Sequence, residues 1–138
     1  MIFILFMKTK NLKQTVEFKA SPHDVYEALI DSAKHSKFSN SKAVISREVG
    51  GKFMAYDGWI TGTNLELIQD KKIVQNWRGN SEDWPEGYYS KVTFSLSKTK
   101  NGTKLTFKHE GIPESTYEDI SKGWEEHYWE PMKEMLEK

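Results

Sequence analysis

Four histidines, His23, His35, His109 and His127, are the side chains best suited to proton transfer or metal binding, so their settings decide whether either chemistry is available. A nucleophile needs a base beside it, and the base needs an orienting partner. None of the four belongs to a serine-type or metal-type motif, so no catalytic residue is expected. In "HYWE", His127 and Glu130 stand one helical turn apart and could form a two-ligand clip. Zinc takes three or four ligands, and a His/Glu pair on an acidic helix reads as a surface salt bridge, so neither a metal nor a cofactor is expected. With no cysteine in the sequence, disulfides, thiolate nucleophiles and cysteine-held clusters are removed as well.

His109 has the most informative context. In "TKLTFKH" the alternation places Leu105, Phe107 and His109 on one face of a strand. A neutral imidazole there, near Gln75, could bond the polar end of a ligand; it could equally be satisfied by a backbone carbonyl at the end of its strand. The five tryptophans each carry a large apolar surface and one donor. Trp59, Trp77 and Trp124, together with Phe94, Phe107 and Tyr128, are expected to line the same interior as Gln75 and His109. Trp84 and Pro85 lie in the polar loop "GNSEDWPEG", where an aromatic either plugs a cavity mouth or meets a partner. Trp129 departs from the apolar stripe of the last helix and is expected, with Trp84 and Pro85, on a partner-facing surface.

The elements that must position these residues follow from periodicity. "LKQTVEFKA" alternates with period two, a strand with one wet face. "SPHD" provides a cap at Ser21 and a proline at the first helical position, predicting a short helix to about Asp31; Ser32 can cap a second, to about Phe38. From Ala43 to Glu110 the pattern is a meander of six strands, and Asp57-Gly58 marks a tight turn whose central residues favour positive φ. Connections this short make neighbouring strands antiparallel. A helix starting near Ser115 carries Ile120, Trp124, Tyr128, Met132, Met135 and Leu136 on one side, and Pro131 should bend it or detach its last turn. The economical arrangement is α+β: a curved seven-stranded antiparallel sheet wrapped around a long C-terminal helix, with two short helices between the first two strands. Inward positions on the strand after Asp57-Gly58 are taken as Trp59 and Thr61.

One domain is expected over residues 8–138 of this 138-residue chain. The opening "MIFILFM" is too short for a membrane span and lacks the basic start of a signal sequence, so residues 1–7 are read as an alternative-start extension, with Met7 as a candidate start, or as an extra edge strand. Lys plus Arg equals Asp plus Glu at 20 each, leaving no global field to hold nucleic acid or an anionic membrane. The distribution is uneven: residues 8–52 sum to +4, 53–109 to +2 and 110–138 to −6.

The series "GGKF" at 50–53, "DG" at 57–58, "IVQNWR" at 73–78, "WPEGYY" at 84–89, "GIP" at 111–113 and "GWEEHYWEPMK" at 123–133 resembles the activator of heat-shock-protein-90 ATPase family, specifically the C-terminal domain of the Aha-type co-chaperone, within the START-like helix-grip superfamily. The resemblance covers nearly everything from Leu12 to Leu136. It implies a helix-grip fold, no prosthetic group, no catalysis by the domain itself and a chaperone of the heat-shock-protein-90 type as partner; the lack of cysteine makes the cytoplasm the default location. The alternative is a carrier or sensor that takes a small apolar ligand between sheet and helix. A core closed by Trp124, Tyr128, Phe94 and Phe107 favours docking, whereas a cavity of a few hundred Å³ walled by His109 and Gln75 favours a ligand.

Overall fold

Alternation along Thr9–Phe18 buries Leu12, Val16 and Phe18 and leaves Lys13, Thr15 and Glu17 in water, which makes β1 an edge strand with one wet face. The computed structural model describes residues 7–138; the expectation for Met1–Phe6 lies outside the described residues. After β1, Ser21 caps α1 (Pro22–Ile30) by accepting from the Asp24 amide at 3.1 Å, with Pro22 in the first turn. The second short helix, α2 (Ser32–Ser39), is capped by Asp31 and not by Ser32: the Asp31 carboxylate accepts from the Lys34 amide at 3.0 Å. Ser32 is drawn elsewhere, because its Oγ receives the Ile45 amide at 2.8 Å and so ties α2 to the next strand. Asn40, in the left-handed region at φ 51°, ends α2.

Six further strands follow: β2 (Val44–Ile45), β3 (Lys52–Ala55), β4 (Ile60–Ile68), β5 (Lys72–Gly79), β6 (Ser90–Thr99) and β7 (Gly102–Pro113). They form one antiparallel sheet in the order β1-β7-β6-β5-β4-β3-β2, so the first strand closes against the last. Bulges between Lys10 and Leu12 and between Asn64 and Glu66 shift the register and bend their strands. The Asp57-Gly58 turn is longer than a two-residue hairpin. Tyr56, Asp57 and Gly58 all take positive φ in a single 3-10 turn, held by Asp57, whose amide donates to the Lys42 carbonyl at 3.0 Å.

The parity expected of β4 is reversed. Ile60, Gly62 and Asn64 face inward, while Thr61 takes the other face. Gly62 explains why: a Cβ there would stand 2.5 Å from the Phe53 ring and 2.0 Å from the Asn76 carbonyl, so the inward position must be empty for Phe53 to fill it. On β5, β6 and β7 the inward residues are those expected, with Ile73, Gln75, Trp77, Val92, Phe94, Leu96, Leu105 and Phe107 all buried.

Across this face lies the C-terminal helix. A 3-10 turn (Glu114–Thr116) leads into α3 (Tyr117–Trp124), a π turn (Glu125–Trp129) and α4 (Glu130–Leu136). The stripe Ile120, Trp124, Tyr128, Met132 is buried against the sheet; Met135 and Leu136 are partly buried beside it. Pro131 accounts for the π turn. Its ring cannot face the carbonyl four residues earlier, and it has no N–H to offer that carbonyl. The chain therefore widens, the Glu130 amide bonding back to Glu125, and the released His127 carbonyl accepts from the Tyr56 hydroxyl of the β3–β4 turn. Adding a residue to the turn also brings Trp129 under Trp124, with the two indoles stacked at 5.6 Å and 21°.

Candidate functional site

Between helix and sheet the polar atoms satisfy one another. The Trp124 indole N–H donates to His109 Nδ1 at 3.1 Å, which leaves the proton of the neutral imidazole on Nε2. That nitrogen donates to Ser90 Oγ at 2.8 Å, and Ser90 in turn donates to the Trp77 carbonyl at 2.8 Å. His109 is fully buried, and desolvation pushes its pKa down to about 3. A second chain runs through the neighbouring layer: the Tyr128 hydroxyl donates to His35 Nε2 at 3.0 Å, and His35 Nδ1–H donates to the Leu29 carbonyl at 3.1 Å. Burial lowers His35 to about 4 and raises Tyr128 well above the usual phenol range.

Gln75 does not meet His109. The two sit in one cross-strand row, but Val92 stands between them, and the Gln75 amide turns the other way to Asn64 Oδ1 at 3.0 Å. Asn64, also fully buried, spends its own amide on the carbonyls of Ser46 and Glu48, pinning the loop before β3. His109 is thus satisfied by an indole and a serine, and not by a backbone carbonyl at its strand end.

The space expected to hold a ligand is filled. Phe94, Phe107 and Trp124 pack with ring centres 4.3–5.9 Å apart. What remains beside Gln75, Trp77 and Tyr128 is a void of about 10 Å³, at the lower limit for a single water. Phe107 and His109 belong to the solid core.

An open groove lies on the other side of Trp124. It measures about 420 Å³ and runs between the Tyr56–Gly58 turn and α3, with Trp59, Ile60, Trp77, Ile120, Trp124 and Tyr128 in its walls and Asp119, Lys122 and Glu126 among its charged residues. Trp59 is 43% exposed. Its indole lies over Gly79, where a Cβ would come within 3.0 Å of it, and its ring centre is 6.1 Å from that of Trp77. Four residues expected around an internal cavity, Trp59, Trp77, Trp124 and Tyr128, thus meet at its outer edge. Tyr56, Asp119 and Glu126 were not anticipated there; "AYDGW" marks a turn but says nothing of which helix it faces.

The residues expected on a partner-facing surface are mostly inside. Trp84 is buried against Trp77, ring centres 5.5 Å apart, and plugs the end of the core. Arg78 holds it there: its guanidinium donates to the carbonyls of Trp84 at 3.0 Å, Pro85 at 2.5 Å and Tyr88 at 3.2 Å, stitching the 80–89 loop to β5. Among the described residues, Trp84 Nε1 and Ser81 Oγ have no hydrogen-bond partner. Trp129 is buried too, its indole N–H donating to Gln14 at 2.7 Å, because the π turn carries it onto the inner face. Only Pro85 keeps partial exposure, beside Glu82, Asp83, Glu86 and an exposed Tyr89.

The Ser90 hydroxyl and the His109 imidazole stand 2.8 Å apart inside the packed core, with the imidazole donating and the hydroxyl spent on the Trp77 carbonyl. Among the described residues no three potential metal ligands cluster; His127 leans on the Tyr56 ring, and His23 pairs with Asp70 at 3.0 Å on the surface.

The family described as "Activator of Hsp90 ATPase homolog 1-like protein" matches residues 19–137. The chain belongs to this family. A relative named activator of 90 kDa heat shock protein ATPase homolog, from Dictyostelium discoideum, is 38% identical over 117 residues, which cover 84% of this chain and 30% of that protein. The Homo sapiens activator of 90 kDa heat shock protein ATPase homolog 1 is 32% identical over 123 residues, 89% of this chain and 35% of the relative. This chain therefore spans about a third of the length of these curated relatives. Among solved structures, an HSP90 activator from Plasmodium falciparum superposes with a TM-score of 0.82 at 30% identity, covering 91% of this chain and 95% of that one. The fold is the family's START-like helix grip.

Proposed function

We propose that this domain catalyses no reaction itself and works as a co-chaperone-like module that binds a chaperone of the heat-shock-protein-90 type. The observation that carries this reading is membership of an activator family combined with a core that is packed shut, since a solid interior leaves the surface as the place of action. No helix among the described residues is long and apolar enough to cross a membrane, and a cytoplasmic site of action accords with the reading. The 80–89 loop is the contact surface we favour. Arg78 holds it in one conformation, so its exposed Tyr89, Pro85 and acidic neighbours reach a partner with little ordering cost.

Calorimetric titration of the purified domain into a purified chaperone of that type tests both parts. Saturable binding, weakened about tenfold or more by Tyr89→Ala, supports the reading. No binding removes it, and binding indifferent to Tyr89→Ala moves the contact elsewhere on the domain.

A further inference from the structure

The outer groove has a chemistry of its own. Its aromatic walls meet nearly at right angles: Trp59 with Trp77 at 73°, Tyr56 with His127 at 69° and Tyr56 with Tyr128 at 63°. Rings crossed in this way present π faces from more than one direction, and π faces carry negative potential. Three donors of the groove's rings are already committed elsewhere, while the Trp59 and Trp77 indoles have no such partner among the described residues. The Tyr56 hydroxyl is on the His127 carbonyl, the Trp124 N–H is on His109, and the Tyr128 hydroxyl is on His35. The two tyrosine hydroxyls are thus unavailable to an anionic or carbonyl-bearing ligand.

The charge is equally one-sided. Asp119 and Glu126 outnumber Lys122 in the groove, and residues 110–138 carry nine acids against three bases. This field repels anions and draws cations. About 420 Å³ falls within the range of small-molecule sites, and Trp59, 43% exposed and packed over Gly79 and against Trp77, offers ring surface to an occupant.

We propose that this groove binds a small organic cation with an apolar body, of the alkylammonium class, its charge set against the crossed aromatic faces and between Asp119 and Glu126. The groove adjoins the 80–89 loop, whose Asn80 amide donates to the Trp59 carbonyl at 2.8 Å, but no residue of that loop lines it, and the proposal stands or falls independently of the chaperone reading.

Octyltrimethylammonium, octanoate and octanol share one tail and differ in charge, which makes them the probes. Titration followed by calorimetry and by tryptophan emission should show saturable binding of the ammonium, at least about tenfold tighter than of octanoate or octanol. Trp59→Ala should weaken it about fivefold or more, and the double variant Asp119→Asn, Glu126→Gln about threefold or more, while Val49→Ala, at an exposed apolar position elsewhere, leaves it unchanged. The double variant alters only exposed side chains, so it remains a test if Trp59→Ala disturbs folding. Octanoate or octanol binding as tightly as the ammonium, absence of saturable binding, or affinity unmoved in the folded double variant and in folded Trp59→Ala would each overturn the proposal.

Discussion

On the inner side of Trp124 the space between helix and sheet closes to a void of about 10 Å³, whereas on its outer side, between the same helix and the Tyr56–Gly58 turn, about 420 Å³ stands open. Both regions are rich in aromatic rings, so composition does not separate them. The disposition of polar atoms does. Inside, every donor of Trp124, His109, Ser90, Tyr128 and His35 finds an acceptor within the molecule, and the acceptors lie deep in the packing. The same bonds turn the polar tips of Trp124 and Tyr128 away from the groove, so those two walls offer it no free donor. Sealing one region therefore takes donors from the other: the polar pairing that closes the core also leaves Trp124 and Tyr128 as apolar walls of the groove.

The strongest way to break this comparison is Trp124→Ala, because that residue walls both regions. Truncating a buried large aromatic costs about 3–5 kcal/mol, and here His109 Nδ1 would also lose its donor. Calorimetric melting should show a loss of that size; under about 1 kcal/mol, the interior would be looser than its packing indicates.

Acid tests the inner region alone. An unfolded histidine protonates near 6.5, whereas folded His35 and His109 hold out to about 4 and about 3. The unfolded chain thus binds more protons throughout that window, so the contribution is complete above 6.5 and is lost as pH falls toward the folded values. By pH 5 each histidine should have cost about 2 kcal/mol in urea unfolding. His109→Gln should flatten the slope, and an unchanged slope would mean that the imidazole is not desolvated in the way its neighbours imply.

The two regions were unequally legible in the sequence. Strict alternation in Leu105, Phe107, His109 and in Val92, Phe94, Leu96 fixed their faces, and spacing of four along Ile120, Trp124, Tyr128, Met132 fixed the helix stripe. β4 misled because its inward positions are Ile60, Gly62 and Asn64, a series with one apolar side chain, so alternation had nothing to register. Trp129 misled because a helix of 3.6 residues per turn puts it off the stripe, and only the π turn imposed by Pro131 restores it. The polar chains were invisible for a plainer reason. His35 and Tyr128 are 93 residues apart, and no local pattern links a buried donor to an acceptor that distant. The groove shares this origin, since its walls come from a turn and a helix that meet only in the tertiary fold.

The smallest effect should come from the groove's own tryptophan. Trp59 is 43% exposed and makes its main contacts with Gly79 and the Trp77 edge, so Trp59→Ala removes about half of the burial a core indole would lose. A melting experiment should show a loss of about 2 kcal/mol, roughly half that of Trp124→Ala. If the two losses were alike, Trp59 would belong to the sealed core and the division at Trp124 would fail. If Trp59→Ala were instead stabilising, the exposed indole would be kept at a cost to the fold, as expected of a side chain retained for binding.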